Sequence, residues 1–297
     1  MSILVNAQTR ILVQGITGRE AATFTAESLA YGAHIVAGVT PGKGGMRVHG
    51  VPVYDTVKAA LKTGAIDATV ISVPPAFALD AALEAMDAGV KLIVCLTERV
   101  PRRDVVIMLD MAKRVGTRIV GPNTLGIISP GQTRVGMAGG AAASVQRAYM
   151  AGHVGVVSRS GGMMTEIASL LTQSGIGQST CVSIGGDPII GTTILDLLPL
   201  YDADPDTHAI VMFCEPGGTM EERLADEVTA HPPRVPIIAF VAGRFADRMQ
   251  GVRFGHAGAL VEGSNGSPAA KIARMRAAGI ILADRLGNIP TLIREQI

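Results

Sequence analysis

At 297 residues the chain is long enough for two domains of ordinary size, and with 48% apolar residues each can bury a core. A formal charge of +1 offers no broad field for nucleic acid or for an anionic membrane, so neither partner is expected. Aromatic residues make up only 3%, Trp is absent and Gly numbers 36, which suits an α/β protein cored by Ala, Val, Ile, Leu and Met with many tight strand-to-helix turns.

The first residues, Met1 to Asn6, lack the basic region and long apolar run of a signal peptide, and no 18-residue apolar span follows. Cys95, Cys181 and Cys214 each lie in an apolar stretch, at spacings that fit no zinc pattern. They read as buried free thiols of a soluble, cytoplasmic protein without a metal site. In the first half, strands are expected at 11–14, 34–39, 68–73, 92–96 and 118–120, with helices such as 77–88 and 104–115 between them. The stretch 131–152 is rich in Gly, Ala and Ser and weakly periodic, so it reads as a linker between domains at 1–130 and 153–297. In the second half, strands are expected at 154–157, 180–184, 209–213, 237–241 and 280–283, with helices near 162–173, 192–198, 221–229 and 268–277. This alternation implies parallel strands, crossover helices and two doubly wound domains.

The first strand runs into Gly15-Ile16-Thr17-Gly18 and a helix beginning near Glu20. A glycine turn at a helix start frees backbone N–H groups, and the helix dipole favours an anion there. A dinucleotide site would place an acid at the end of the next strand. Here that strand ends Val39-Thr40-Pro41-Gly42-Lys43-Gly44-Gly45, with a lysine in a glycine loop instead. A phosphorylated ligand other than NAD is therefore expected.

Each strand of the second half is followed by an unusual loop: Ser158-Arg159-Ser160-Gly161-Gly162, Gly185-Gly186-Asp187-Pro188, Glu215-Pro216-Gly217-Gly218, and a long loop ending Gly255-His256-Ala257-Gly258. Parallel strands bring all four to one carboxyl edge. His256 among small residues, near carboxylates and a helix start, can be a base, a metal ligand or a phosphoryl carrier. No second histidine suggests a metal pair, and no G-x-S-x-G elbow marks a serine nucleophile. The helix start at Ser160–Gly162 suits a phosphoryl group on the ring, and Glu215 suits the ring's other N–H.

Gly-His-Ala-Gly at 255–258, Ser-Arg-Ser-Gly at 158–161, Gly-Gly-Asp-Pro at 185–188, Thr-Pro-Gly-Lys-Gly-Gly at 40–45 and Gly-Pro-Asn at 121–123 resemble the α subunit of succinyl-CoA synthetase, in the same order along nearly the whole chain. The resemblance implies an N-terminal Rossmann-like CoA-binding domain followed by a flavodoxin-like ligase domain that carries a phosphohistidine. It also implies a partner β subunit of ATP-grasp fold, in an αβ or α2β2 assembly, which binds ATP or GTP with Mg²⁺. Carried over by position, His256 matches the phosphorylated histidine and Glu215 the glutamate that holds it. Thr17, Gly18, Arg19 and Glu20 match a CoA phosphate loop, Lys43 a CoA contact, and Leu96, Thr97 and Glu98 a further CoA-lining stretch. Asn123, Ser160 and Gly161 match positions near the acid and the phosphoryl group.

Three departures stand out. The first loop reads Thr17-Gly18-Arg19-Glu20 where the family has Thr-Gly-Ser-Gln. Pro216 replaces an Ile after the glutamate. Gly162-Met163-Met164-Thr165-Glu166 replaces Thr-Leu-Thr-Tyr-Glu and is similar to the corresponding loop of ATP-citrate lyase. Smaller side chains at Gly162 and Thr165 favour a larger acid than succinate, unless Met163 and Met164 have turned into the core. The expected activity is an NDP-forming ligation of CoA to a carboxylic acid, succinate first and malate or citrate as alternatives. A CoA-binding protein without chemistry is a further alternative, against which the retention of Glu215 and His256 speaks.

Overall fold

The computed structural model describes residues 2–244, 256 and 266–297. The first half contains β1 (Ile11–Gln14), α1 (Arg19–Tyr31), β2 (Ile35–Val39), β3 (Arg47–Val48), β4 (Val51–Tyr54), α2 (Val57–Leu61), β5 (Ala68–Ile71), α3 (Ala78–Asp87), β6 (Leu92–Cys95), α4 (Arg102–Val115) and β7 (Arg118–Val120). These strands form one sheet in the order β3-β4-β2-β1-β5-β6-β7, parallel except between β3 and β4. β1, β5 and β6 are buried along their whole length. Ile11 and Val13 face one core and Leu12 the other, so a continuous apolar run is what a two-faced parallel strand requires. Helices stop where glycine permits a left-handed residue: α1 at Gly32 (φ 100°) and α4 at Gly116 (φ 69°).

The second half contains β8 (Gly126–Ser129), β9 (Thr133–Gly136), α5 (Ala142–Ala148), β10 (Ala151–Ser158), α6 (Gly161–Gln173), β11 (Gln178–Ser183), α7 (Ile194–Ala203), β12 (Ala209–Cys214), α8 (Met220–Ala230), β13 (Ile237–Val241), α9 (Pro268–Ala277), β14 (Ile281–Leu282) and α10 (Ile289–Arg294). The sheet order is β14-β13-β12-β10-β11-β8-β9, parallel from β14 to β11, with β8 and β9 added as an antiparallel hairpin. One apolar cluster runs through both halves, joining Val13, Val70 and Val94 to Val157, Ile184 and Met212, so the two sheets share a core. No helix among the described residues is long and apolar enough to cross a membrane.

The junction differs from the one expected. The chain leaves the first sheet after β7 and enters the second at Gly126, so 126–130 does not belong with the first half and 131–152 is not a linker. Its glycines mark close backbone approach within the β8–β9 hairpin: a Cβ on Gly126 (φ 101°) would lie 2.1 Å from the Val135 carbonyl oxygen, and one on Gly136 (φ 115°) 2.7 Å from that of Leu125. Ile127, Ile128 and Val135 are fully buried. Ala142–Ala148 is helical, and its Val145 lies in the core beside α6.

Candidate active site

In the first sheet the strand order reverses between β1 and β5, and a cleft of about 520 Å³ opens at their carboxyl ends. Gly18, Arg19, Glu20, Leu96, Thr97, Glu98 and Asn123 all line it. The turn is tight because Gly15 (φ 84°) abuts the next loop: a Cβ there would lie 2.2 Å from the Ser72 carbonyl oxygen. Gly18 caps α1 without a side-chain acceptor, so the first amides of a 13-residue helix face the cleft mouth unclaimed by a cap. Thr97 Oγ1 donates to Val73 O at 2.9 Å and holds the floor.

Thr17 and Lys43 are not among the lining residues. The Thr17 hydroxyl lies 3.2 Å from that of Thr40, which ties the glycine turn to the loop after β2. Lys43 is exposed on that loop, whose shape is fixed by Asp55: its Oδ1 accepts from Gly44 N at 2.9 Å. Asp55 escaped the sequence reading because it follows β4, not β2. The end of β2 itself carries no acid, as expected.

In the second sheet the order reverses between β10 and β12, and the two loops that matter most leave there. Glu215 turns both carboxylate oxygens to His256 Nδ1, at 2.9 and 2.8 Å. This hydrogen bond raises the imidazole pKa above its ordinary value; burial and the Arg159 charge oppose the rise, and Asp187 assists it. The ring rests on Gly186, where a Cβ would lie 2.5 Å from Cγ and 2.8 Å from Nε2. Gly255, Ala257 and Gly258 lie outside the described residues.

Ser160 caps α6, its Oγ accepting from Met163 N at 3.4 Å, and Gly161 and Gly162 form the first turn. Gly161 abuts Leu125, whose Cγ a Cβ would meet at 2.2 Å, whereas Gly162 is exposed. Thr165 is not presented in the same way: its hydroxyl lies 2.9 Å from that of Tyr149 and 3.3 Å from Gly161 O. Met164 is fully buried and Met163 packs against the core, which is the repacked form of this loop.

Asn123 joins the two regions. It lines the cleft, its N–H donates to Thr97 O at 3.1 Å, its carbonyl accepts from Gly186 N at 3.2 Å, and its amide donates to Asp187 Oδ1 at 2.9 Å. Beneath the Glu215 loop, fully buried Lys271 bonds Glu221 at 2.5 Å, Glu222 at 3.0 Å and Gly218 O at 3.0 Å. Lys271 shares its helix with exposed Arg274 and Arg276, and nothing in the sequence separates it from them as buried. Among the described residues no group of three or more His, Cys, Asp or Glu is placed to hold a metal ion.

Residues 6–99 match the CoA binding domain family and residues 157–281 the CoA-ligase family. The chain is 44% identical over 295 residues to the succinate–CoA ligase [ADP-forming] subunit alpha 1 of Archaeoglobus fulgidus, covering 99% of this chain and 98% of that one. It is 40% identical over 294 residues to an ADP-forming sulfoacetate-CoA ligase subunit of Bilophila wadsworthia, with 99% of each chain covered. Among solved structures, the ATP citrate lyase of Methanothrix soehngenii in complex with citrate and coenzyme A superposes with a TM-score of 0.92 at 25% identity. The match covers 99% of this chain, which spans 50% of that longer one. With a CoA-binding domain ahead of a ligase domain, and near full-length identity above 40%, the chain belongs to the family of the NDP-forming succinate–CoA ligase α subunits.

Proposed function

We propose that the chain is the α subunit of an NDP-forming acid–CoA ligase, which makes an acyl-CoA from a small carboxylic acid, succinate first, with CoA and an NTP. One observation carries this reading: Glu215 occupies His256 Nδ1 with both oxygens, which leaves Nε2, on the Gly186 side of the ring, as the nucleophilic nitrogen. The Nε2 lone pair attacks the γ-phosphorus, the P–O bond to the leaving NDP breaks and a P–N bond forms. A carboxylate oxygen of the acid then attacks that phosphorus, the P–N bond breaks and an acyl phosphate results. The CoA thiolate attacks the acyl carbon, the C–O bond breaks and phosphate leaves. Two transfers replace one direct condensation. Glu215 stabilises the positive charge that the ring carries while the phosphoryl group sits on Nε2.

In this reading Gly18, Arg19, Glu20, Leu96, Thr97 and Glu98 hold CoA, with Thr17 and Lys43 flanking its phosphates. Asn123, Ser160, Gly161 and Gly162 receive the acid and the phosphoryl group, and Thr165 supports the helix start through Tyr149. ATP or GTP with Mg²⁺ belongs to an ATP-grasp β subunit, in an αβ or α2β2 complex. Incubating that complex with γ-labelled NTP should give acid-labile, base-stable label, absent from His256→Asn. Label that persists in the variant removes His256 from the mechanism.

The sulfoacetate ligase subunit supports a second reading of the acid, because it is nearly as similar as the succinate enzyme. Both acids are small dianions. Comparing kcat/KM for succinate, sulfoacetate, malate and citrate decides between them, and a panel not led by succinate overturns the succinate assignment while leaving the ligase reading intact.

A further inference from the structure

We propose that Arg159 is the counter-charge of the phosphoryl group on His256, a cationic seat built into the fold before the anion arrives. This role rests on the reading of His256 as the phosphoryl carrier and adds a residue to it.

Arg159 directly follows β10. Ser158 stands in register opposite Phe213 of β12, so the guanidinium-bearing residue emerges at the switch point, between the loop that carries Glu215 and the start of α6. It is 5% exposed, yet among the described residues its Nε has no hydrogen-bond partner and it forms no ion pair. Glu215, on the adjacent strand end, is turned to the imidazole instead. A buried charge is costly unless an anion meets it, and removing the cost is part of what an arriving anion gains.

Two further features identify that anion. The first turn of α6, capped by Ser160 and with exposed Gly162, favours negative charge at the same edge. The charge of Arg159 also reaches the ring, where it opposes protonation of His256 against the two carboxylates, Glu215 and Asp187, that favour it. Uncharged, the imidazole gains nothing from Arg159. Carrying a phosphoryl group on Nε2, it presents anionic oxygens that a planar guanidinium binds well. Arg159 exchanges no atoms in the transfer: the P–O bond to NDP breaks as the P–N bond forms, and the guanidinium acts on the product of that exchange.

The test compares the parent αβ complex with Arg159→Met and Arg159→Lys at a fixed NTP:NDP ratio, reading the phosphohistidine fraction by ³¹P NMR. Arg159→Met should lower the equilibrium constant for phosphohistidine formation at least tenfold, Arg159→Lys should recover part of it, and the CoA dissociation constant should not move. In the unphosphorylated complexes, NMR titration of His256 should show a higher imidazole pKa in Arg159→Met than in the parent. A labelled parent with an unchanged equilibrium in Arg159→Met overturns the proposal alone. Loss of CoA binding in the variant without a rise in the His256 pKa reduces Arg159 to a structural role and also overturns it. A parent that carries no phosphoryl group on His256 overturns both this role and the reading beneath it.

Discussion

Gly186→Ala should slow phosphorylation of His256 while sparing the fold. The added methyl would stand 2.4 Å from the ring's Cδ2 and 2.5 Å from Cγ. Carbon atoms settle near 3.5 Å or beyond, so the ring must retreat by about 1 Å. It cannot do so and keep both short contacts to Glu215, at 2.8 and 2.9 Å. The backbone of Gly186 lies outside the left-handed region, so alanine brings no strain of its own. A displacement of about 1 Å in a reacting group costs on the order of 10²-fold in rate, or about 2.7 kcal/mol. The initial rate of label transfer from γ-labelled NTP in the αβ complex measures this. CoA titration and the unfolding midpoint, both expected to match the parent, serve as controls. Phosphorylation at the parent rate would refute the claim that Gly186 is glycine to seat the imidazole.

Three other variants follow from the same geometry. Because Glu215 raises the folded-state pKa of His256, the histidine's stabilising contribution is complete below its ordinary value of 6.5 and is lost as pH rises through the raised value. The stability gap between parent and Glu215→Gln should therefore narrow over that interval, from about 1 kcal/mol for this partly exposed pair, and a gap independent of pH in denaturant unfolding would contradict it. Lys43→Ala should weaken CoA binding by about 1–2 kcal/mol without changing the affinity for the acid, and equal CoA dissociation constants by calorimetry would remove Lys43 from the site. Lys271→Met strands the buried Glu221 beside Glu222 and should cost about 3–5 kcal/mol of stability, read by denaturant unfolding. A cost under about 1 kcal/mol would mean the carboxylates find other partners.

Much of the site was legible because glycine loops at strand ends announce themselves. Glu215 and His256 lie 41 residues apart, yet parallel strands placed their loops on one edge and a hydrogen bond joins them. The β8–β9 hairpin was not legible. Its strands are four residues each, buried on both faces, so neither length nor alternation separates them from a glycine-rich connector. Arg159 and Lys271 were hidden for a different reason. Arg159 lies between two serines and Lys271 on a helix that also carries Arg274 and Arg276, and burial came from elements distant in the chain. Thr165 shows the converse: the sequence marks it only as a small side chain near the helix start, and its contact with Tyr149, 16 residues away, comes from the fold.

Cys95 and Cys214 each stand one residue before the site, next to Leu96 and Glu215, and Cys181 is likewise fully buried. Burial pushes the Cys95 thiol up to about 12 and the Cys214 thiol well above its ordinary value. At pH 7 a thiol of pKa near 12 is ionised in only about one molecule in 10⁵. A reaction that passes through an acyl phosphate and ends on a sulfur must tell one thiol from another, since any accessible thiolate would capture the activated acyl group. The fold makes that selection by solvation: its own three sulfurs are kept protonated and out of reach, and the one soft nucleophile left to compete for the acyl carbon is the sulfur delivered from outside.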